Sequence, residues 1–176
     1  MRQNNRLSLA VFVTTLVVCT LSVAQEVRSN SMPGTDFSKF HTYKWVTIAG
    51  SPDVNQIQDA EIKQAVDSQL AAKGLTKTDS DNADLYVGYQ TAVNQQKEWN
   101  AIGMGGGWRW GGMETATSST IDIGTIVVDM YDQGGKQLVW SGRATKTLDP
   151  SKSQEKNQKE LDKAMAKLLK DFPPKP

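Results

Sequence analysis

Thr125-Ile126-Val127-Val128-Asp129-Met130-Tyr131, then Asp132-Gln133-Gly134-Gly135-Lys136, then Gln137-Leu138-Val139-Trp140-Ser141-Gly142-Arg143 read as strand, turn and strand. Two β-rich runs around a short glycine-containing turn are the signature of a hairpin. Side chains alternate between the faces of a strand, so Ile126, Val128 and Met130 form one set, to be matched by Leu138 and Trp140. That pairing joins even positions to even positions and requires an odd loop, met by three residues with Gly135 at positive φ. Asp129 and Arg143 then fall on the opposite face, as a cross-strand or diagonal charge pair or as groups able to hold a ligand.

Working outward, Leu85, Val87 and Tyr89 alternate with Tyr86, Gly88 and Gln90 in a strand over 83–93. Before it, His41, Tyr43 and Trp45 alternate with Thr42, Lys44 and Val46 in another strand. Between the two lies a helix, with Asp53 or Asn55 as N-cap, Gln58 in its first turn and Ile62, Val66 and Leu70 at spacing four. Gly74 ends it as the left-handed residue past the last turn. Such a helix joins its flanking strands as a crossover, which makes them parallel. Thr115 to Thr120 form a weak strand at most. After the hairpin, Asp149-Pro150-Ser151 opens a final helix carrying Leu161, Met165, Leu168 and Phe172, stopped by Pro173 and Pro174. The expected architecture is a single α+β domain over 36–176: a two-layer sandwich whose mixed, mostly antiparallel sheet of four or five strands carries two helices on one face.

The chain ahead of that domain has a different character. Residues 25–35 are polar, with Asn30, Pro33 and Gly34, and read as a tether. Residues 1–24 place Arg2 and Arg6 before an apolar run from Leu7 to Leu21, followed by Ser22-Val23-Ala24, the small-residue pattern that a signal peptidase cleaves. The run is shorter than the roughly 20 apolar residues of a membrane span. A signal peptide removed before Gln25 is expected, with a periplasmic or envelope location and no transmembrane span in the mature chain. The one cysteine, Cys19, lies inside this run. It is a lipidation candidate, but the residue before it, Val18, stands where the lipoprotein peptidase requires a small side chain.

Composition narrows the chemistry. The 176 residues carry 20 basic and 19 acidic side chains. Without Arg2 and Arg6 the mature chain holds 18 basic and 19 acidic side chains, a net charge of −1, which gives no electrostatic footprint for nucleic acid. No Gly-x-Ser-x-Gly or His-Glu-x-x-His occurs, and the single His41 supplies no multi-histidine metal site. His41 on its strand reads as structural, not as a base. Ser153-Gln154-Glu155-Lys156 and Ser80-Asp81-Asn82 match elements of penicillin-binding enzymes, but in reversed order and without Lys-Thr-Gly. No catalytic residue, metal ligand or cofactor site is assigned. An enzyme would need a carboxylate site such as Asp129 with Asp122 or Glu114, and a carrier of a small apolar ligand would need a pocket between sheet and helices.

One segment stands apart. Residues 103–112, Gly-Met-Gly-Gly-Gly-Trp-Arg-Trp-Gly-Gly, hold six of the fourteen glycines and two of the five tryptophans. No Gly-Lys-Ser/Thr follows, so it is not a phosphate loop. If the backbone is extended, Trp108 and Trp110 project to one side and Arg109 to the other. Paired indoles suit a sugar ring, a protein groove or a membrane interface, and equally suit folding back over an open sheet face. The segment is the expected binding contact for an envelope protein, glycan or lipid.

Blocks along the chain also resemble a known family. They are Asp36-Phe37-Ser38-Lys39-Phe40 leading to Thr42-Tyr43-Lys44-Trp45, Ala72-Lys73-Gly74-Leu75, Ala83-Asp84-Leu85-Tyr86-Val87 and Gly107-Trp108-Arg109-Trp110-Gly111. Gly124-Thr125-Ile126-Val127-Val128-Asp129-Met130-Tyr131-Asp132, Gln137-Leu138-Val139-Trp140-Ser141-Gly142 and Lys167-Leu168-Leu169-Lys170-Asp171-Phe172-Pro173-Pro174 complete the series. In this order they resemble the bacterial domain-of-unknown-function family 4136. The resemblance implies an exported protein of the Gram-negative envelope, often a lipoprotein, and brings no catalytic residues with it.

Overall fold

A computed structural model describes residues 25–52, 54–101 and 116–174. The elements run β1 (Glu26–Ser31), a 3-10 turn (Phe37–Lys39), β2 (Thr42–Trp45), α1 (Gln56–Ala72), β3 (Thr76–Lys77), β4 (Leu85–Ala101), β5 (Ala116–Asp132), β6 (Gln137–Thr147) and α2 (Gln154–Leu168). They build one mixed six-stranded sheet in the order β1-β6-β5-β4-β2-β3. β2 is parallel to both β4 and β3, and the remaining pairs are antiparallel. The α+β class and the parallel pairing across α1 are as the sequence implied; the strand count is six, not four or five.

The two extra strands have weak signals for physical reasons. β1 lies inside the stretch expected to be a polar tether. It is an edge strand whose Val27 alone adds to the core, so its polar side chains stay in water while its backbone pairs with β6. β3 is two exposed residues held by backbone bonds: Thr76 N–H donates to the His41 carbonyl and Thr78 N–H to that of Tyr43.

α1 begins where its cap predicts, the Asn55 side chain accepting the Gln58 N–H at 2.9 Å, and ends at Gly74 with φ of 87°. α2 begins later than expected. Asp149 closes a local turn by accepting from the Ser151 N–H and hydroxyl, and Ser153 caps the helix instead. Phe172 lies past the helix end yet is buried in the core, edge-on to Trp140.

The β5–β6 hairpin departs from the expected loop in an instructive way. The turn spans four residues, Asp132 accepting from the Gly134 and Gly135 N–H groups, and the positive φ falls on Lys136 at 49°. An even loop pairs Leu138 with Tyr131 and leaves Leu138 38% exposed. A register shift between Met130 and Tyr131 then inserts Val139 as an extra, buried residue, and Trp140 comes to face Met130. The parity that the core demands is restored by a bulge, not by the loop.

The core gathers Tyr43, Leu85, Val87, Val128, Met130 and Trp140 from the sheet with Val66, Leu70, Met165, Leu168 and Leu169 from the helical segments. Asp84 ties the start of β2 to the start of β4, accepting from the His41 and Thr42 N–H groups at 2.8 Å and the Thr42 hydroxyl at 2.9 Å. These donors, the His41 N–H foremost, hold its carboxyl below the usual 3.8. A lowered folded value gives stability that is present above the unfolded value and lost as pH falls through the folded one. Asp84→Asn is expected to cost about 1 kcal/mol at neutral pH and to flatten the stability loss below about pH 4, read from urea unfolding at a series of pH values.

Candidate functional site

β4 and β5 are both far longer than their neighbours require. They pair without a break from Leu85↔Asp132 to Ala101↔Ala116, whereas β2 stops at Val87 and β6 stops at Ile123. Residues 95–101 and 116–122 therefore form a two-stranded arm seven pairs long beyond the last β6 contact, about 24 Å at ~3.4 Å per residue. Thr115 to Thr120, expected as a separate weak strand, belong for their described part to the continuous β5. Trp108, Arg109 and Trp110, with Glu114, lie in the segment that joins the arm's two ends, outside the described residues. Cys19 is outside them as well.

The other sequence candidates are dispersed. Asp129 is buried on the sheet face opposite the core set and accepts the Ser141 hydroxyl at 2.6 Å. Its partner is thus a neutral neighbour on β6; Arg143 is exposed two residues further along and pairs across β1 with Arg28. Asp122 is seven residues from Asp129 on the same strand and on its other face, so the two carboxylates do not meet. His41 is exposed, just ahead of β2. The Ser153 and Lys156 pair is a helix cap, the Ser153 hydroxyl accepting the Lys156 N–H, and Ser80 and Asn82 share a turn. Among the described residues no group of three or more His, Cys, Asp and Glu could hold a metal.

What the sequence did not reveal is a cleft of about 250 Å³ where β2 ends. Trp45 closes β2, Val46, Thr47, Ile48, Ser51, Pro52 and Val54 of the following segment line the cleft, and α1 starts at Gln56. Tyr89 and Thr91 of β4 form the opposite wall. Trp45 and Tyr89 meet edge to face with ring centres 6.1 Å apart. α1 anchors both rings. Asp67 accepts the Trp45 Nε1–H at 2.8 Å and the Tyr43 hydroxyl at 2.7 Å, and Asp59 accepts the Tyr89 hydroxyl at 2.7 Å and the Lys63 ammonium at 2.8 Å. The Lys63 bond, joined by that of Tyr89, holds the Asp59 carboxyl below its usual range, while burial and the Asp59 carboxylate push the Tyr89 hydroxyl up. On the other face of β4, a Cβ at Gly88 would lie 2.6 Å from Ile48 Cγ1, so glycine there lets the segment after β2 pass close to the strand. A strand, a loop with Gly50 and Pro52, and a capped helix in succession were the available signal.

A family model described as a domain of unknown function, DUF4136, matches residues 27–174. The chain belongs to the DUF4136 family. No curated protein sequence matches this DUF4136 member. Among solved structures, a PDZ domain protein from Parabacteroides distasonis aligns with a TM-score of 0.56 at 17% identity, over 86% of this chain and 37% of the other. The DUF4136 chain thus spans little more than a third of that protein, and the likeness is one of fold. PelC from Paraburkholderia phytofirmans, solved as a dodecamer, aligns at 0.48 with 15% identity over 83% of this chain and 95% of its own. A lipoprotein from Neisseria meningitidis aligns at 0.43 with 11% identity over 74% and 99%.

Proposed function

We propose that this DUF4136 protein is a non-catalytic module of the bacterial envelope that binds a protein, glycan or lipid partner at the far end of its β4–β5 arm. The fold is read as two layers, with both helices over one face of the sheet and the arm projecting past them. Trp108, Arg109 and Trp110 are the contact residues, and the leader is removed before Gln25, leaving the chain periplasmic or envelope-associated. The observation that carries the reading is the arm itself. A two-stranded ribbon is at best marginally stable in water, so an extension of seven pairs beyond the sheet is a cost that folding of the core does not require. Its continuation is a segment whose two indoles gain most from burial against another surface. Among the described residues no helix is long and apolar enough to cross a membrane.

The test uses the exported protein, its start at Gln25 checked by intact mass. Trp108→Ala with Trp110→Ala is expected to leave the melting temperature within about 2 °C, the effect of under ~0.5 kcal/mol, and to abolish capture of envelope components retained by the unmodified chain. An uncleaved chain, or one acylated at Cys19, overturns cleavage before Gln25. Loss of several kcal/mol in the double variant assigns the indoles to the core and removes the binding reading.

A further inference from the structure

The cleft beside Trp45 has the position of a ligand site. β2, α1 and β4 form the parallel βαβ part of the sheet. In open sheets with such units, ligands bind in the crevice outside the carboxyl ends of the strands, next to the following helix. This cleft meets that rule at β2 alone: Trp45 is the last residue of β2 and Gln56 the first of α1, while β4 runs on past the cleft and lines it with Tyr89 and Thr91. At about 250 Å³ it falls under the roughly 300–1,000 Å³ of sites for drug-sized molecules, which suits a single small ring.

The lining selects the chemistry. A helix amino end ordinarily favours an anion. Here Asp59 already puts a carboxylate in the first turn of α1, and Lys63 neutralises it at 2.8 Å. An anion would meet that carboxylate, and a cation would have to displace Lys63, so a neutral guest suits the cleft best. The Trp45 and Tyr89 rings supply apolar surface, with Ser51, Gln56 and Thr91 as neutral polar groups around it. Asp59 and Lys63 retain capacity: a carboxylate has about four acceptor positions and an ammonium three donors, and their known bonds leave some of each unused.

We propose that this cleft binds a neutral polyhydroxylated ring, a single sugar unit, with its C–H surface against Trp45 and Tyr89 and its hydroxyls on Asp59, Lys63 and Gln56. The site is separate from the arm and its occupancy does not depend on the tryptophans placed there.

The exported protein is titrated with N-acetylglucosamine, and in parallel with inorganic phosphate, while amide and indole N–H signals are followed by NMR. The expected result is a saturable, millimolar response to the sugar at the Trp45 indole and at the backbone of residues 46–54 and 89–91, with no comparable response to phosphate. Thr91→Phe, which fills the cleft from a half-exposed strand position, is expected to weaken binding about ten-fold or more with the remaining signals unmoved. Trp108→Ala with Trp110→Ala is expected to leave the affinity unchanged. The proposal is overturned if the sugar moves no cleft signal, if phosphate moves them more, or if Thr91→Phe binds as the parent does.

Discussion

Trp140→Ala is expected to cost about 3–5 kcal/mol in chemical denaturation, and Arg143→Ala, three residues along the same strand, under ~1 kcal/mol. Trp140 is 2% exposed, edge-on to Phe172 with ring centres 5.4 Å apart, and opposite Met130, which is itself fully buried. Phe172 in turn meets Phe37 at 5.7 Å, so the indole is the inner member of an aromatic chain reaching from β6 to the 3-10 turn. Removing it leaves a cavity beside Phe172, Met130 and Leu168. Arg143 is exposed and lies across from Arg28, a like charge, so truncating it removes little attraction. Equal effects of the two substitutions would show the face assignment to be wrong.

That assignment was readable because one face of the hairpin packs apolar side chains into the core while the other carries polar ones, Asp129 buried among them and Arg143 exposed. Val128, Met130 and Trp140 against Asp129 and Arg143 carry the two-residue alternation that a half-buried strand imposes. The arm carries no such signal. Thr91-Ala92-Val93-Asn94-Gln95-Gln96-Lys97 is exposed along nearly its whole length, Val93 at 65%, so neither face selects apolar residues and the strand past Val93 leaves no periodic trace. β1 failed for the same reason, with Val27 as its only apolar residue. The bulge at Val139 was hidden because Leu138, Val139 and Trp140 are all apolar, and which of them faces inward is decided by turn length. The cleft was harder still. Trp45 and Tyr89 fit their strand patterns, and only the three-dimensional placement of Asp59 and Lys63, one and two turns into α1, turns that end of the sheet into a polar-edged recess. The tryptophans at 108 and 110 were conspicuous by composition alone, which says that they are unusual and not what they touch.

Gly142→Val is expected to cost about 3 kcal/mol, and the cost is expected to depend on Trp140. A Cβ at Gly142 would collide with the outer ring of Trp140 and come within 2.9 Å of Leu168 Cδ1. The indole therefore lies along β6 across the glycine and under α2, a position that only a residue without a side chain leaves open. A flexible surface group would swing aside at little cost, but Trp140 is held between Phe172 and the helix and has no second place to go. The double-mutant cycle separates this account from a simple loss of strand propensity. With Trp140→Ala in place the ring is gone and the methyls introduced by the second substitution enter the vacated space. The further cost of Gly142→Val should then fall by at least about 1 kcal/mol, a coupling of the size found for residues in contact. If the two costs simply add, the indole does not lie over Gly142, and the packing of α2 against β6 through Leu168 is the whole reason for glycine at this position.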